Sequence, residues 1–485
     1  MRMTAAFVTV LAGALLLAGC SDPDDVGPPI DGPGLAAAID TDAVIGDLEQ
    51  LQLIATANGG NRAVGTPGYD ASVDYVVGQL EQAGFDVETP EFDVDIFQVT
   101  TQALQVSGRD VPMLALTYSP ATPAGGLHAR LVPVPSDDTP GCEVGDYDGL
   151  DVTGAVVLVD RGSCPFAQKQ QVAADRGAAA ILVANNEDGP LTGGTLGAED
   201  AARIPAGGVD KADGAALRRG GDVTLTIDST VESTKSRNVI AQTGTGADDN
   251  VVMAGAHLDS VREGPGVNDN GSGVAVLLET ARQLGATPNT ANAVRFAFWG
   301  AEEVGLTGST AYVDGLDDAA RADIALYLNF DMVGSHNAGY FAYDGDDSDR
   351  AGEGPGPEGS AGIERTFDAI LLQLGISPDG TDFDGRSDYG PFIAVGIPAG
   401  GLFTGAEENK TAVQARQWGG EGDAAFDPNY HTAQDTFANV DRQALAVNAE
   451  AIGYGIGHYA QSTDGVNGVP AAGDARSAAR ADVGK

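Results

Sequence analysis

Between residues 69 and 83 (YDASVDYVVGQLEQA), Val73, Val76, Val77 and Leu80 recur at helical spacing and share one face, which predicts a helix. Gly84 follows where a helix C-terminus favours a residue free to take positive φ. The wider stretch 47–87 reads as helix, loop, helix and a turn into a strand. Over residues 90–120 apolar and polar positions alternate, the signature of strands. Residues 155–160 (AVVLVD) and 179–184 (AAILVA) are short apolar runs that predict strands, with a helix over 166–176 carrying Lys169 between them. After Ser236 the chain alternates strand and helix to about residue 460. Strands are expected at 238–241, 251–256, 293–298, 325–330 and 393–399. That alternation predicts an α/β fold, a mostly parallel central sheet flanked by helices. Two acidic stretches interrupt it: 344–359 (DGDDSDRAGEGPGPEG) reads as a loop and 461–485 as a disordered tail.

The N-terminus has a different pattern. Arg2 precedes an uncharged run whose apolar part, residues 5–18, is too short to span a bilayer comfortably but has the length of a signal-peptide core. It ends Leu17-Ala18-Gly19-Cys20, which resembles the lipobox of bacterial lipoproteins. The resemblance implies removal of residues 1–19, lipidation of Cys20, and an exported protein held to the bacterial membrane only through that anchor, on the cell-surface or extracellular side. Residues 20–40, rich in Pro, Gly and Asp up to Gly34, read as a flexible tether. With Cys20 committed to lipid, Cys142 and Cys164 remain, and an oxidising compartment favours a disulfide between them. A thiolate metal site is the alternative, though no histidine lies nearby.

Composition narrows the function. The 485 residues carry 70 Asp and Glu against 26 Lys and Arg, a formal net charge of −44, which argues against nucleic-acid binding by phosphate neutralisation. The length suggests two or three domains. Gly at 68 positions is about twice the usual ~7%, as expected of a chain rich in turns.

Candidate chemistry gathers at the ends of the later strands. His257 closes one in AGAHLDS (254–260), and Asp269 follows in NDNGSG (268–273). The strand at 293–298 runs into Glu302-Glu303, adjacent acids able to face different ways. The next ends at Asp331, and a loop supplies Tyr430-His431. Open α/β sheets collect ligands at the carboxyl ends of their strands. Two imidazoles and three carboxylates suit a pair of divalent ions, zinc above all, with one carboxylate shared.

The ordered motifs AGAHLDS, NDNGSG, FWGAEEVGLTGS, NFDMVGS, GRSDYGPF and YHTAQDT, with NRAVGTPGYDAS at 61–72, resemble the M28 family of dizinc aminopeptidases, close to its secreted actinobacterial type. The resemblance covers about 45–455. Residues 154–186 resemble a protease-associated domain, a small β-rich lid module. The implied organisation is a first part of the peptidase domain at 41–120, the inserted lid at 121–230, and the metallopeptidase core at 231–460, in a zinc-exopeptidase-like fold. The resemblance implies that His257 and Asp331 hold one zinc, that Glu303 and His431 hold the other, and that Asp269 bridges them. Glu302 would be the general base, Asp259 would orient His257, and Tyr430 would donate to the developing oxyanion. Arg386 would lie at the substrate end and Phe403 would line the pocket for the first side chain. The substrates implied are peptides with a free N-terminus. Relatives of this type often carry cysteines flanking the Tyr-His pair; Asn429 and Gln434 stand there instead, so that brace is absent.

Other readings remain beside this one. A carboxypeptidase- or dipeptidase-type relative would call for basic residues around a substrate carboxylate, and only Arg386 is clearly placed. A silent receptor on the same scaffold would be expected to lose ligands, all of which are filled. A glutaminyl-cyclase-like activity would need one zinc. The DGDDSD segment at 344–349 lacks the closing Glu of an EF-hand, so its reading is a solvated acidic loop, with weak Ca²⁺ binding as the lesser option.

Overall fold

A computed structural model describes residues 28–463 apart from 188, 351 and 353. The expected signal peptide, Cys20 and all but the start of the expected tail lie outside the described residues. An eight-stranded sheet forms the core. Its order is Val87–Glu88, Val239–Gln242, Asn292–Trp299, Ala247–His257, Ile324–Phe330, Ala399–Phe403, Phe341–Tyr343 and Asp379–Thr381. The four strands from Asn292–Trp299 to Ala399–Phe403 run parallel, while the pairings at the sheet's edges include antiparallel ones.

Alternation along the strands builds two apolar layers. Phe296, Phe298, Val252 and Ala254 face the helices Thr41–Ala57, Pro67–Gln82, Gly271–Leu284 and Arg442–Gln461. Ala297, Trp299 and Met253 face the opposite way, toward Thr307–Gly315 and Tyr389–Ala394. On that second face Tyr327 stacks on Phe392 at 3.9 Å and accepts a hydrogen bond from Trp299 Nε1 at 2.8 Å. Gly255 lets these rings close over the strand, since a Cβ there would lie 2.3 Å from the Tyr327 hydroxyl.

A second eight-stranded sheet is inserted between Val87–Glu88 and Val239–Gln242. It starts earlier and ends later than the expected 121–230. The long strands Glu91–Val106 and Gly221–Arg237 pair antiparallel almost throughout, from Glu91 opposite Arg237 to Val106 opposite Val223. They form a ribbon that leaves the core and enters the insert, and so 91–120 belongs to the insert rather than to the peptidase domain. Phe92, Val94 and Ile96 pack the root of this ribbon against Val64 and Ala301. Cys142 and Cys164 form a disulfide inside the insert.

Two further expectations are corrected. Residues 32–38 of the expected tether form the helix Gly32–Ala38, capped by Asp31, with Leu35 buried. Its composition looked unstructured, but Gly32 allows contact so close that a Cβ would meet the Tyr454 ring at 2.7 Å. The expected strand at 393–399 is instead the end of the helix Tyr389–Ala394 and a turn through Gly396. The strand begins only at Ala399, after Pro398, while Ile393 and Val395 pack with Phe392 into the layer of Trp299 and Tyr327. At the other end, the helix Arg442–Gln461 reaches the first expected tail residue, and Gln461 Nε2 donates to the Ile30 and Asn289 carbonyls.

Candidate metal centre and active site

The carboxyl ends of the parallel strands deliver the site. His257 is the last residue of its strand, and Asp331 follows Ile324–Phe330 directly. Glu302 and Glu303 sit in a turn beyond Trp299 that Ala301 enters at φ +61°. Asp269 precedes the helix Gly271–Leu284, capped by Asn270, whose side chain also donates to the Phe330 carbonyl. His431 arrives on the loop after Asp427.

The five expected ligands converge. His257 Nε2 lies 3.1 Å from Asp269 Oδ1 and 3.2 Å from Asp331 Oδ1. His431 Nε2 lies 3.2 Å from Asp269 Oδ2 and 3.0 Å from Glu303 Oε2. Asp269 thus offers one oxygen to each imidazole, the arrangement of a bridge. Tetrahedral zinc with bonds of about 2.0 Å spaces its ligand atoms by about 3.3 Å, and these separations fit. Asp331 Oδ1 and Glu303 Oε1 are buried without a hydrogen-bond partner, which a cation would satisfy. Asp269, Glu303 and Asp331, with Glu302 and Asp259 beside them, give the site an excess of carboxylates that divalent cations would offset.

The electrostatics report the same excess. Burial opposes protonation of His257, yet the carboxylates of Asp331, Glu302, Asp259 and Asp269 hold its imidazole well above the ordinary range. Burial likewise opposes His431, and Glu303 with Asp269 carry it up to about 11. Burial and the Asp269 charge push Glu303 up to about 7, and burial with Glu303, Asp331 and Asp388 around it pushes Glu302 far up.

Two hydrogen-bond networks hold these residues in place. Tyr327 donates to Asn329, Asn329 to Ser387, and Ser387 Oγ to Asp331 Oδ2 at 2.6 Å. Asp435 accepts the backbone N–H groups of Asn268 and Asp269, and Asn268 Nδ2 reaches Asp427 at 2.7 Å. Asp427 in turn accepts from the backbone and side chain of Asn429, so hydrogen bonds hold the His431 loop where the cysteine brace is missing. Asp259 touches more than His257. The His257 Nδ1 lies 3.2 Å from the Asp259 backbone carbonyl and 3.7 Å from its carboxylate, which accepts the N–H groups of Glu302 and Glu303.

Tyr430 stacks on His431 at 3.8 Å, and Arg386 donates to its hydroxyl at 3.3 Å. Phe403 ends its strand one position beyond Leu402, which pairs with Phe330. It stands at the same edge as Asp331, 6.2 Å from the Phe341 ring. Sequence reading assigned no role to Arg62, Ser387 or Asp435. Arg62 is fully buried and donates to the carbonyls of Leu258, Pro265 and Gly266, shaping the loop between His257 and Asp269. A charged residue inside the NRAVGTPGYDAS motif was the available signal.

Away from this site, Asp344, Asp347, Asp349 and Asp382 converge, as do Asp344, Asp346 and Glu364. Burial, with Asp344, Asp346 and Asp368 nearby, pushes Glu364 up to about 7. A carboxyl raised on folding holds its proton longer in the folded state, so stability falls as pH climbs from about 4.5 to 7. Glu364→Gln is therefore expected to stabilise the protein by about 1 kcal/mol at pH 8, after solvent screening, and by much less at pH 4.5. Urea midpoints at the two pH values check this; equal gains at both would show that charge is not the cause.

The peptidase family M28 model matches residues 238–456, and the PA domain model matches 127–217. The chain is 53% identical over 484 residues to the probable lipoprotein aminopeptidase LpqL of Mycobacterium tuberculosis, covering 97% of each. It is 42% identical to leucine aminopeptidase 2 of Trichophyton rubrum, over 87% of this chain and 84% of that protein. Among solved structures, the aminopeptidase from Aneurinibacillus sp. strain AM-1 superposes with a TM-score of 0.73 at 29% identity, over 88% of this chain and 95% of that one. These matches span the core, the insert and the strand ends that bear the converging residues, and the chain belongs to peptidase family M28, with a PA domain inserted before its catalytic core.

Proposed function

We propose that the protein is a zinc-dependent aminopeptidase that hydrolyses the N-terminal bond of peptides. The observation that carries this reading is the convergence of His257, Asp269, Glu303, Asp331 and His431 with Asp269 between the two imidazoles. These five residues would hold two zinc ions, with Asp269 shared. Bound there, the ions supply a water of lowered pKa and a Lewis acid for the scissile carbonyl. Glu302 lies near enough to His257 and Asp331 to share a cation with them but makes none of the four imidazole–carboxylate approaches; it takes a proton from the attacking water as general base and returns it to the leaving amine. Tyr430 donates a hydrogen bond from its phenol O–H to the developing oxyanion and keeps its proton. Asp259 holds the Glu302-Glu303 turn and the His257 ring in register. The surplus of carboxylates favours a substrate with a free ammonium group.

Arg386 bears on the choice between exopeptidase types. Its guanidinium is paired with Glu407 at 2.9 Å and Glu408 at 3.3 Å, so it offers no uncompensated charge to a substrate carboxylate. That favours the aminopeptidase over the carboxypeptidase or dipeptidase reading. Filled ligand positions speak against a silent receptor. Phe403 would line the pocket for the first side chain. Lipidation at Cys20 and attachment to the outer face of the bacterial membrane are part of the same proposal, supported by the lipobox pattern and by the relative named as a lipoprotein. No helix among the described residues is long and apolar enough to cross a membrane.

The test is a panel of aminoacyl-p-nitroanilides, each beside its N-acetylated twin, with and without a chelator. Cleavage is expected only of the free amines and only with metal present. No cleavage with two zinc ions bound per chain would shift the assignment to a carboxypeptidase or dipeptidase. No cleavage and no metal would leave a binding protein.

A further inference from the structure

The turn that leaves the strand Ala399–Phe403 carries Glu407 and Glu408 over Arg386. We propose that these two glutamates are positioning residues for Tyr430: by gripping Arg386 they fix the hydrogen bond its guanidinium gives the phenol oxygen, and so direct the phenol's own proton toward the reacting carbonyl. The inference rests on the reading of Tyr430 as the oxyanion donor.

The direction of the contact follows from the groups involved. A guanidinium has donors and no acceptor, so across the 3.3 Å between Arg386 Nη2 and the Tyr430 hydroxyl it is Arg386 that donates. A phenol has one proton. With its oxygen accepting from Arg386, that proton turns away from the guanidinium. Stacking on His431, with 23° between the planes, restricts the ring as well. The Tyr430 hydroxyl is thereby held by a residue whose own side-chain ion pairs are with Glu407 and Glu408.

Arg386 needs holding. Its side chain is 49% exposed, and a long side chain in water samples many rotamers. Nη2 meets Glu407 and Nη1 meets Glu408, so the two ion pairs occupy different nitrogens of one planar fork. Each exposed pair contributes little by itself. Together they leave the fork one orientation, in which Nη2 also reaches Tyr430.

The backbone ties the same parts together. Phe426 donates to the Glu408 carbonyl at 2.9 Å and Asp427 to that of Ala406 at 2.7 Å, so the glutamate turn is stitched to the segment that leads into Tyr430. On the other side, Asp384 accepts the Arg386 N–H at 3.0 Å and the Tyr389 hydroxyl at 2.6 Å. Glutamates, arginine and tyrosine therefore sit on three anchored segments, and the side-chain contacts close the triangle.

The experiment is a double-mutant cycle on the best p-nitroanilide, comparing wild type, Glu407→Gln/Glu408→Gln, Tyr430→Phe and the combined variant. Zinc content and melting temperature are recorded for each. Tyr430→Phe is expected to lower kcat by about 10²-fold. The glutamate pair variant is expected to lower kcat by about tenfold with KM within about twofold, and to cause no further loss once Tyr430 is Phe. Each single glutamate variant should fall between, which keeps the test usable if the pair variant folds poorly. An unchanged kcat in all the glutamate variants would overturn the proposal. So would a loss that carries over in full into the Tyr430→Phe background, since the glutamates would then act through something else. A wild-type kcat in Tyr430→Phe would remove the oxyanion role of Tyr430 and the proposal with it, while leaving the aminopeptidase reading to the free-amine and chelator results.

Discussion

Glu302→Gln is expected to bind two zinc ions as wild type does and to lose at least about 10³-fold in kcat. The two consequences separate because of where Glu302 sits. The four imidazole–carboxylate approaches that define the centre involve His257, His431, Asp269, Glu303 and Asp331, and none uses Glu302. The backbone of Glu302 is held through Asp259, so an isosteric side chain does not release the turn. Gln keeps the volume and a hydrogen-bonding oxygen but cannot take a proton near neutral pH. Zinc analysis and kcat on the same preparation check both halves. A kcat within tenfold of wild type would exclude Glu302 as the base. Loss of zinc would move it into the ligand set.

Arg62→Met is expected to cost about 3–5 kcal/mol of stability, the range found when one partner of a buried charge arrangement is removed. Arg62 is fully buried and donates through Nε, Nη1 and Nη2 to the carbonyls of Pro265, Leu258 and Gly266. Met fills similar volume and leaves those three acceptors without their donor, each a desolvated group costing about 1–3 kcal/mol. Asp259, Asp435, Asp269 and Glu303 all act on Arg62 electrostatically, and its loss leaves their charges less compensated. Urea unfolding of the wild-type and variant zinc-loaded proteins measures the difference. A change below about 1 kcal/mol would mean that the loop between His257 and Asp269 holds its shape without the guanidinium.

Much of the core was legible along the chain. The apolar runs at the central strands are buried on both faces, so they stand out as near-continuous hydrophobic segments. Three of the converging residues are legible for a related reason: His257, Glu303 and Asp331 lie where a parallel strand ends, whereas Asp269 and His431 arrive on loops and were legible only through their motifs. The strand Ala399–Phe403 was misplaced because Phe392, Ile393 and Val395 also form an apolar run, and composition does not distinguish a short buried helix from a strand. The extent of the insert was misjudged for another reason. The strands Glu91–Val106 and Gly221–Arg237 find their partners more than a hundred residues away, and no local pattern records that pairing.

What the amino-acid sequence determined by itself was local and periodic. Alternation set the strands, helical spacing set the amphipathic helices, and the ends of the apolar runs set that His257, Glu302, Glu303 and Asp331 reach one edge of the sheet. Tertiary structure decided the contacts whose energy comes from groups far apart in the chain. It buried Arg62 against three carbonyls, linked Tyr327 to Asp331 through Asn329 and Ser387, and brought Glu407 and Glu408 onto Arg386. It also docked the glycine-rich residues 32–38 as a helix on Arg442–Gln461. Periodicity reports which face of an element avoids water. Which polar group answers which, once water is excluded, depends on distances that only the folded chain sets.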